Sequence, residues 1–154
     1  MTTLEKESTP KTYVKKADPV VHFEMPAEDR DRIAKFYTSA FGWQTHMLGE
    51  DMGNYVTAMT TSDVDEKGTP KKVGMINGGF YTKDDKMPDQ YPSFVIAVDD
   101  IKESMNKIAK AEGKVIGEPM EIPGIGKQVS FIDTEGNRLS ILEPIMEMKE
   151  KAKG

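Results

Sequence analysis

Val20 to Asp29 read VVHFEMPAED, a strand pattern that passes into the start of a helix. Its first six residues alternate, so Val21, Phe23 and Met25 share one face of a strand while Val20, His22 and Glu24 share the other. Pro26 closes the strand. From Glu28 to Phe41 the period changes: Ile33, Phe36, Tyr37, Ala40 and Phe41 fall at helical spacing, acids stand early, and Gly42 follows. That pattern predicts an amphipathic helix with a glycine C-cap. Burying the apolar set of the strand under this helix sends His22 and Glu24 to the opposite face.

Three further strands are expected downstream, about Trp43 to Leu48, Asn54 to Thr60 and Val73 to Tyr81, with a long polar hairpin loop from Thr61 to Lys72. After the turn-rich stretch Asp84 to Pro92 the order returns. A strand from Ser93 to Val98 precedes a helix from about Ile101 to Glu112, with Asp99 or Asp100 as N-cap and Ile101, Met105, Ile108 and Ala109 as its apolar stripe. Strands at Lys114 to Ile122, Gln128 to Asp133 and Arg138 to Glu143 complete it. An offset of 71 residues carries His22 onto Ser93, Phe23 onto Phe94, Asp29 onto Asp100, Tyr37 onto Ile108 and Gly42 onto Gly113. Matched core, cap and turn residues at one offset favour a duplicated module over two unrelated strand–helix units.

The fold class that follows is α+β, two βαβββ modules forming cupped mixed sheets around a cleft. Module one spans about 20–83 and module two about 91–144, within a single domain over 20–144. Residues 1–19 read as a flexible N-terminal arm and 145–154 as a charged C-terminal tail.

Composition narrows the function. The chain has 154 residues, of which 37% are apolar and 31% charged, and a net charge of −5 with lysines interleaved among acids, which disfavours nucleic acid and anionic lipid. Cysteine is absent, so disulfides, thiolate metal sites and cysteine nucleophiles are excluded. No apolar run reaches the ~20 residues of a membrane helix, and Met1 to Asp18 has no signal-peptide core, so the cytoplasm is the expected location. Gly78-Gly79 is no phosphate loop, since no Lys-Ser or Lys-Thr follows it in a strand–loop–helix context. The eleven methionines suit an adaptable interior.

His22-Phe-Glu-Met-Pro-Ala-Glu-Asp, then Lys35-Phe-Tyr and Phe41-Gly-Trp, with Val98-Asp-Asp-Ile and the closing Ile132-Asp-Thr-Glu-Gly-Asn-Arg-Leu-Ser-Ile-Leu-Glu-Pro, resemble the vicinal-oxygen-chelate superfamily of glyoxalases, bleomycin-resistance proteins and extradiol dioxygenases. The resemblance covers about Val20 to Pro144 and implies a glyoxalase-like fold. It also implies a divalent metal held by histidines and glutamates from the first and last strands of each module. Carried over, the first-strand ligand is His22, but its counterpart is Ser93 and the last-strand glutamate falls at Ser140. Asn77 is the side chain near the remaining position that could coordinate.

Candidate residues follow from both readings. His22 and Glu24 form a candidate catalytic pair, because an imidazole and a carboxylate on one strand face can share or move a proton. Trp43, Tyr55, Asn77, Ser93, Arg138 and Ser140 are candidate ligand-binding residues, the two aromatics as flat surfaces that core packing would equally explain. A reduced metal site would use His22 and Glu143, although alternation turns Glu143 outward unless a bulge shifts it.

Three functions remain open, one of them protein association with the cavity vestigial. Another is a protein resembling bleomycin-resistance members that binds a small molecule in the cleft without the usual metal site or other cofactor. The alternative is a divalent-metal-dependent enzyme with an altered ligand set, a glyoxalase-like lyase, an isomerase or an extradiol-type dioxygenase. A homodimer is expected in every case, because open sheet edges and a cupped face invite a second copy.

Overall fold

The computed structural model describes residues 16–145. Strand β1 (Val20–Ala27) leads through helix α1 (Arg30–Phe41) into β2 (Gln44–Met47), β3 (Val56–Met59) and β4 (Gly78–Thr82). The order recurs in β5 (Ser93–Ala97), α2 (Ile101–Lys110), β6 (Lys114–Ile122), β7 (Gly126–Ile132) and β8 (Arg138–Pro144). All strands join one eight-stranded mixed sheet in the order β2-β3-β4-β1-β5-β8-β7-β6. Within each module the first strand runs parallel to the last, β1 with β4 and β5 with β8, and β1 pairs antiparallel with β5. The modules therefore meet edge to edge inside one chain, with β1 and β5 at the centre.

Capping fixes where the helices begin. Asp29 Oδ1 accepts from the Arg32 amide at 3.0 Å and Asp100 Oδ1 from the Glu103 amide at 3.1 Å, each satisfying an otherwise free first-turn donor. Helix α1 ends at Gly42, whose φ of 71° is the left-handed conformation that glycine adopts without strain. The second helix departs from the expected pattern: Glu112, not Gly113, takes the left-handed turn, at φ 69°. Gly113 is needed for space instead, because a side chain there would press on Ile108.

The core is split between the modules. Under α1 lie Ala27, Val56, Ala58 and Phe80, with Phe23, Met25, Ile33, Tyr37, Trp43 and Met47 packed against them. Under α2 lie Val98, Ile101, Val129, Phe131 and Ile141, with Ile96, Met105, Ile108, Val115 and Leu139. Phe23 and Met25 thus take the expected face, but Val21 is 40% exposed. Val21 sits where the β1–β5 register shifts, between Val20 paired with Ile96 and His22 paired with Val95, so simple alternation does not hold there. Phe36 and Phe41 also correct the expected stripe, being 57% and 64% exposed while Ala34 is buried. Ala109 is likewise exposed. Strand β4 begins at Gly78, five residues later than the apolar run from Val73 implied, because Val73 to Asn77 still belong to the preceding loop.

The arm expected over 1–19 and the tail over 145–154 lie mostly outside the described residues. At their inner ends Pro19 accepts from the Ala97 amide and Ile145 donates to Ile125, both through backbone.

Candidate functional site in the cleft between the modules

With Met25, Val56, Ala58 and Phe80 turned to the helices, strand alternation sends their neighbours to the other face. On β1 these are His22 and Glu24. Register then adds Gly79 beside Glu24, Thr57 beside Gly79, Ser93 beside Glu24, Val95 beside His22, Ser140 beside Val95 and Ser130 beside Ser140. Val95 and Ser140 are almost wholly inaccessible, so the centre of this face is covered, while His22, Glu24, Tyr55 and Ser93 are only partly buried. The sheet also curls. Gln128 on β7 hydrogen-bonds the Glu24 side chain, although β1 and β7 are three strand spacings apart, ~14 Å in a flat sheet.

His22 and Tyr55 form the best-defined contact, with Nε2 2.8 Å from the phenol oxygen. When the imidazole carries its proton on Nδ1, Nε2 accepts this bond from the phenol. Gly79 makes it possible. The Tyr55 ring lies across β4 where a side chain on residue 79 would stand, so only glycine leaves room. The hairpin carrying Tyr55 is tied to α1 by Arg30, which donates to the Leu48 carbonyl at 2.9 Å and to the Asn54 carbonyl at 3.4 Å.

Burial sets the charge states. Desolvation lowers the His22 pKa to about 4, leaving a neutral ring at physiological pH. The Glu24 carboxyl is raised by the same desolvation, against an opposing hydrogen bond from Gln128. Tyr55 is raised by burial and then by the Glu24 charge, so its phenol stays protonated. Tyr81 is raised by burial and by Glu24, with Arg138 acting in the other direction. Both tyrosines feel the Glu24 charge, and a desolvated carboxyl with a raised pKa can exchange a proton.

The other expected site residues divide. Tyr55, Ser93, Arg138 and Ser140 join His22 and Glu24 on this face by register and alternation, and Ser140 meets Ser130, oxygen to oxygen, at 3.3 Å. Trp43 does not join them. It stacks on Tyr37 at 4.6 Å between ring centroids and packs with Phe23 in the core under α1. Asn77 serves the backbone instead, its Oδ1 accepting from the Thr60 amide at 2.8 Å and the Thr61 amide at 3.3 Å. Glu143 projects to the helix face, where its carboxylate accepts from the Ile101 amide at 3.2 Å. His22 and Glu143 consequently do not form a shared metal site, since ordinary alternation places them on opposite faces. Tyr81, Gln128 and Gly79 were not legible as site residues. Tyr81 and Gln128 closed or opened expected strands and carried no motif.

The module symmetry tests the implied metal. Glu24 pairs with Gly79 as Val95 pairs with Ser140, so Gly79, rather than Asn77, is the counterpart of Ser140. The equivalent inner positions hold His22, Ser93, Gly79 and Ser140. One is a strong ligand, already engaged by Tyr55; two are neutral hydroxyls, and one has no side chain. Among the described residues no group of three or more His, Asp, Glu or Cys gathers to hold a cation. These residues do not fit the four-ligand centre.

No helix among the described residues is long and apolar enough to cross a membrane. Comparison with known proteins gives the family. A glyoxylase-like domain-containing protein of Didymella fabae is 31% identical over 121 residues, 77% of this chain and 88% of that one. Among solved structures, a Streptomyces coelicolor methylmalonyl-CoA epimerase variant in complex with 2-nitronate-propionyl-CoA superposes with a TM-score of 0.59 at 14% identity, covering 84% of this chain and 99% of that one. The Mycobacterium tuberculosis methylmalonyl-CoA epimerase gives 0.58 at 13% identity, covering 85% and 91%. These structural likenesses establish the shared fold. The family model for the Glyoxalase/Bleomycin resistance protein/Dioxygenase superfamily matches residues 20–141, and the chain belongs to that superfamily.

Proposed function

We propose that this protein binds a small organic molecule in the cleft where β1 meets β5, and does so without a four-ligand metal centre. The observation that carries this reading is the replacement of the inner ligand set by His22, Gly79, Ser93 and Ser140, with the Tyr55 ring over Gly79 and its phenol on His22. The result is a face with hydrogen-bonding groups and little to neutralise a divalent ion. A cytoplasmic location and a homodimer belong to the same proposal. The exposed Phe36 and Phe41 on α1 support a second copy as partner, and light scattering at micromolar concentration that gave the mass of one chain would refute it.

A second reading, a metal-dependent lyase, isomerase or dioxygenase with an altered ligand set, draws on Glu24. A buried carboxyl with a raised pKa suits proton transfer, and the structural neighbours include epimerases bound to acyl-CoA compounds. Turnover separates the two. Purified protein is expected not to convert the hemithioacetal of methylglyoxal and glutathione at an enzymatic rate, with or without added Ni or Zn. That reaction needs a Lewis acid on the developing enediolate, and losing such stabilisation costs several kcal/mol, each ~1.4 kcal/mol being a factor of ten. Metal-dependent turnover abolished by His22→Ala and by Glu24→Ala would overturn the preferred reading.

A further inference from the structure

Three side chains of the cleft fall in one row across the sheet. Glu24 is the register partner of Ser93, and the register that sets Val95 beside Ser140 sets Ser93 beside Arg138 two residues earlier. Adjacent strands are ~4.8 Å apart, which places the Arg138 backbone roughly 10 Å from that of Glu24. Arg138 is half-buried, and no ion pair among the described residues engages it. Its described electrostatic partner is the Tyr81 phenol, which Glu24 also influences. A partly desolvated guanidinium presents a planar fork of N–H donors, and a phenol donates rather than neutralises, so the complement of this corner is an anion. Beside the row, half-buried Leu142 offers an apolar surface on the same face of β8.

We propose that the cleft takes a small organic carboxylate, its anionic end held by Arg138 with Ser93 and Tyr81 beside it, and a neutral oxygen of the same molecule received by Glu24. The inference rests on the cleft-binding reading and narrows it to a ligand class. One guanidinium with an acid nearby favours a monoanion over a phosphate dianion, whose second charge Glu24 would repel. A carboxylate also matches the fork in plane. The carbon skeleton lies over Leu142.

Calorimetric titration of the full chain with mandelate, 3-phenyllactate and phenylpyruvate, each alongside its uncharged methyl ester, tests this. At least one acid should bind about tenfold or more tightly than its ester, the range expected for a charge-assisted hydrogen bond. Arg138→Gln should bring the acid-to-ester affinity ratio close to one, and Arg138→Lys should keep part of the preference. Thermal unfolding shows whether each variant folds; were Arg138→Gln to fail, the acid-to-ester ratio in the wild type and Arg138→Lys still decides. Equal binding of acid and ester, or an acid affinity untouched in folded Arg138→Gln, overturns the carboxylate site and leaves cleft binding standing. No binding of any acid or ester at millimolar concentration overturns both.

Discussion

Phe80→Ala should lower the unfolding free energy by about 3–5 kcal/mol, the usual cost of emptying a large aromatic core site. Phe80 is 1% exposed and lies on β4 between Met25 of β1 and Val56 of β3, its register partners. Its ring stacks on Tyr37 at 5.4 Å, joining the sheet to α1. Alanine leaves a void that the paired backbones on both sides keep from collapsing. Tyr91→Ala is the internal control. With Tyr91 71% exposed, its loss should stay within about 0.5 kcal/mol. Urea unfolding of both variants measures the difference, and a Phe80→Ala loss below about 1 kcal/mol would remove Phe80 from the core.

Acid should destabilise the protein through His22 before any general acid unfolding begins. The folded pKa, about 4, lies below the ordinary value of 6.5, so the contribution is fully present above pH 6.5 and is lost as pH falls toward 4, while only the unfolded state takes up the proton. Over that window the loss is about 3 kcal/mol. Glu24 works in the opposite sense. Its raised pKa means that the unfolded state releases a proton first as pH climbs above 4.5, so its contribution is present below 4.5 and declines with rising pH. The two partly offset each other in the wild type. In Glu24→Gln the His22 limb should stand alone and steepen. An imidazole NMR titration, with the signal assigned by its loss in His22→Gln, checks the premise, and a His22 midpoint near 6.5 would contradict the burial.

The fold was largely legible because its signals are local. Alternation in VVHFEM set the faces of β1, and Asp29, Asp100 and Gly42 marked helix ends by their own hydrogen-bonding and backbone chemistry. Where the reading failed, tertiary placement decided. Phe36 and Phe41 follow the helical period as well as Ile33 and Tyr37 do, yet α1 meets the sheet along only part of that arc. Trp43 looked equally apt for a ligand or a core, and the stack on Tyr37 settled its position. Glu143 was legible as outward by alternation, but its hydrogen bond to the Ile101 amide needed the helix in place.

The site was legible only in part. His22, Glu24, Ser93, Arg138 and Ser140 share the cleft face because parity within a strand is a sequence property. Gln128 reaching Glu24 depends on the curl of the sheet, and Gly79 matters through the Tyr55 ring that crosses it, 24 residues earlier in the chain. Neither relation has a local signal. Asn77 drew notice as a potential donor, whereas the register places Gly79 at the position that counts.

Metal content of protein purified without an affinity tag separates a cleft without a metal centre from a metal-dependent one. A cleft with one imidazole, two serines and a glycine at its inner positions should hold far less than one equivalent of Ni, Zn, Fe or Mn per chain, and His22→Ala should leave that content unchanged. One equivalent of any of these metals, lost in His22→Ala, would contradict it.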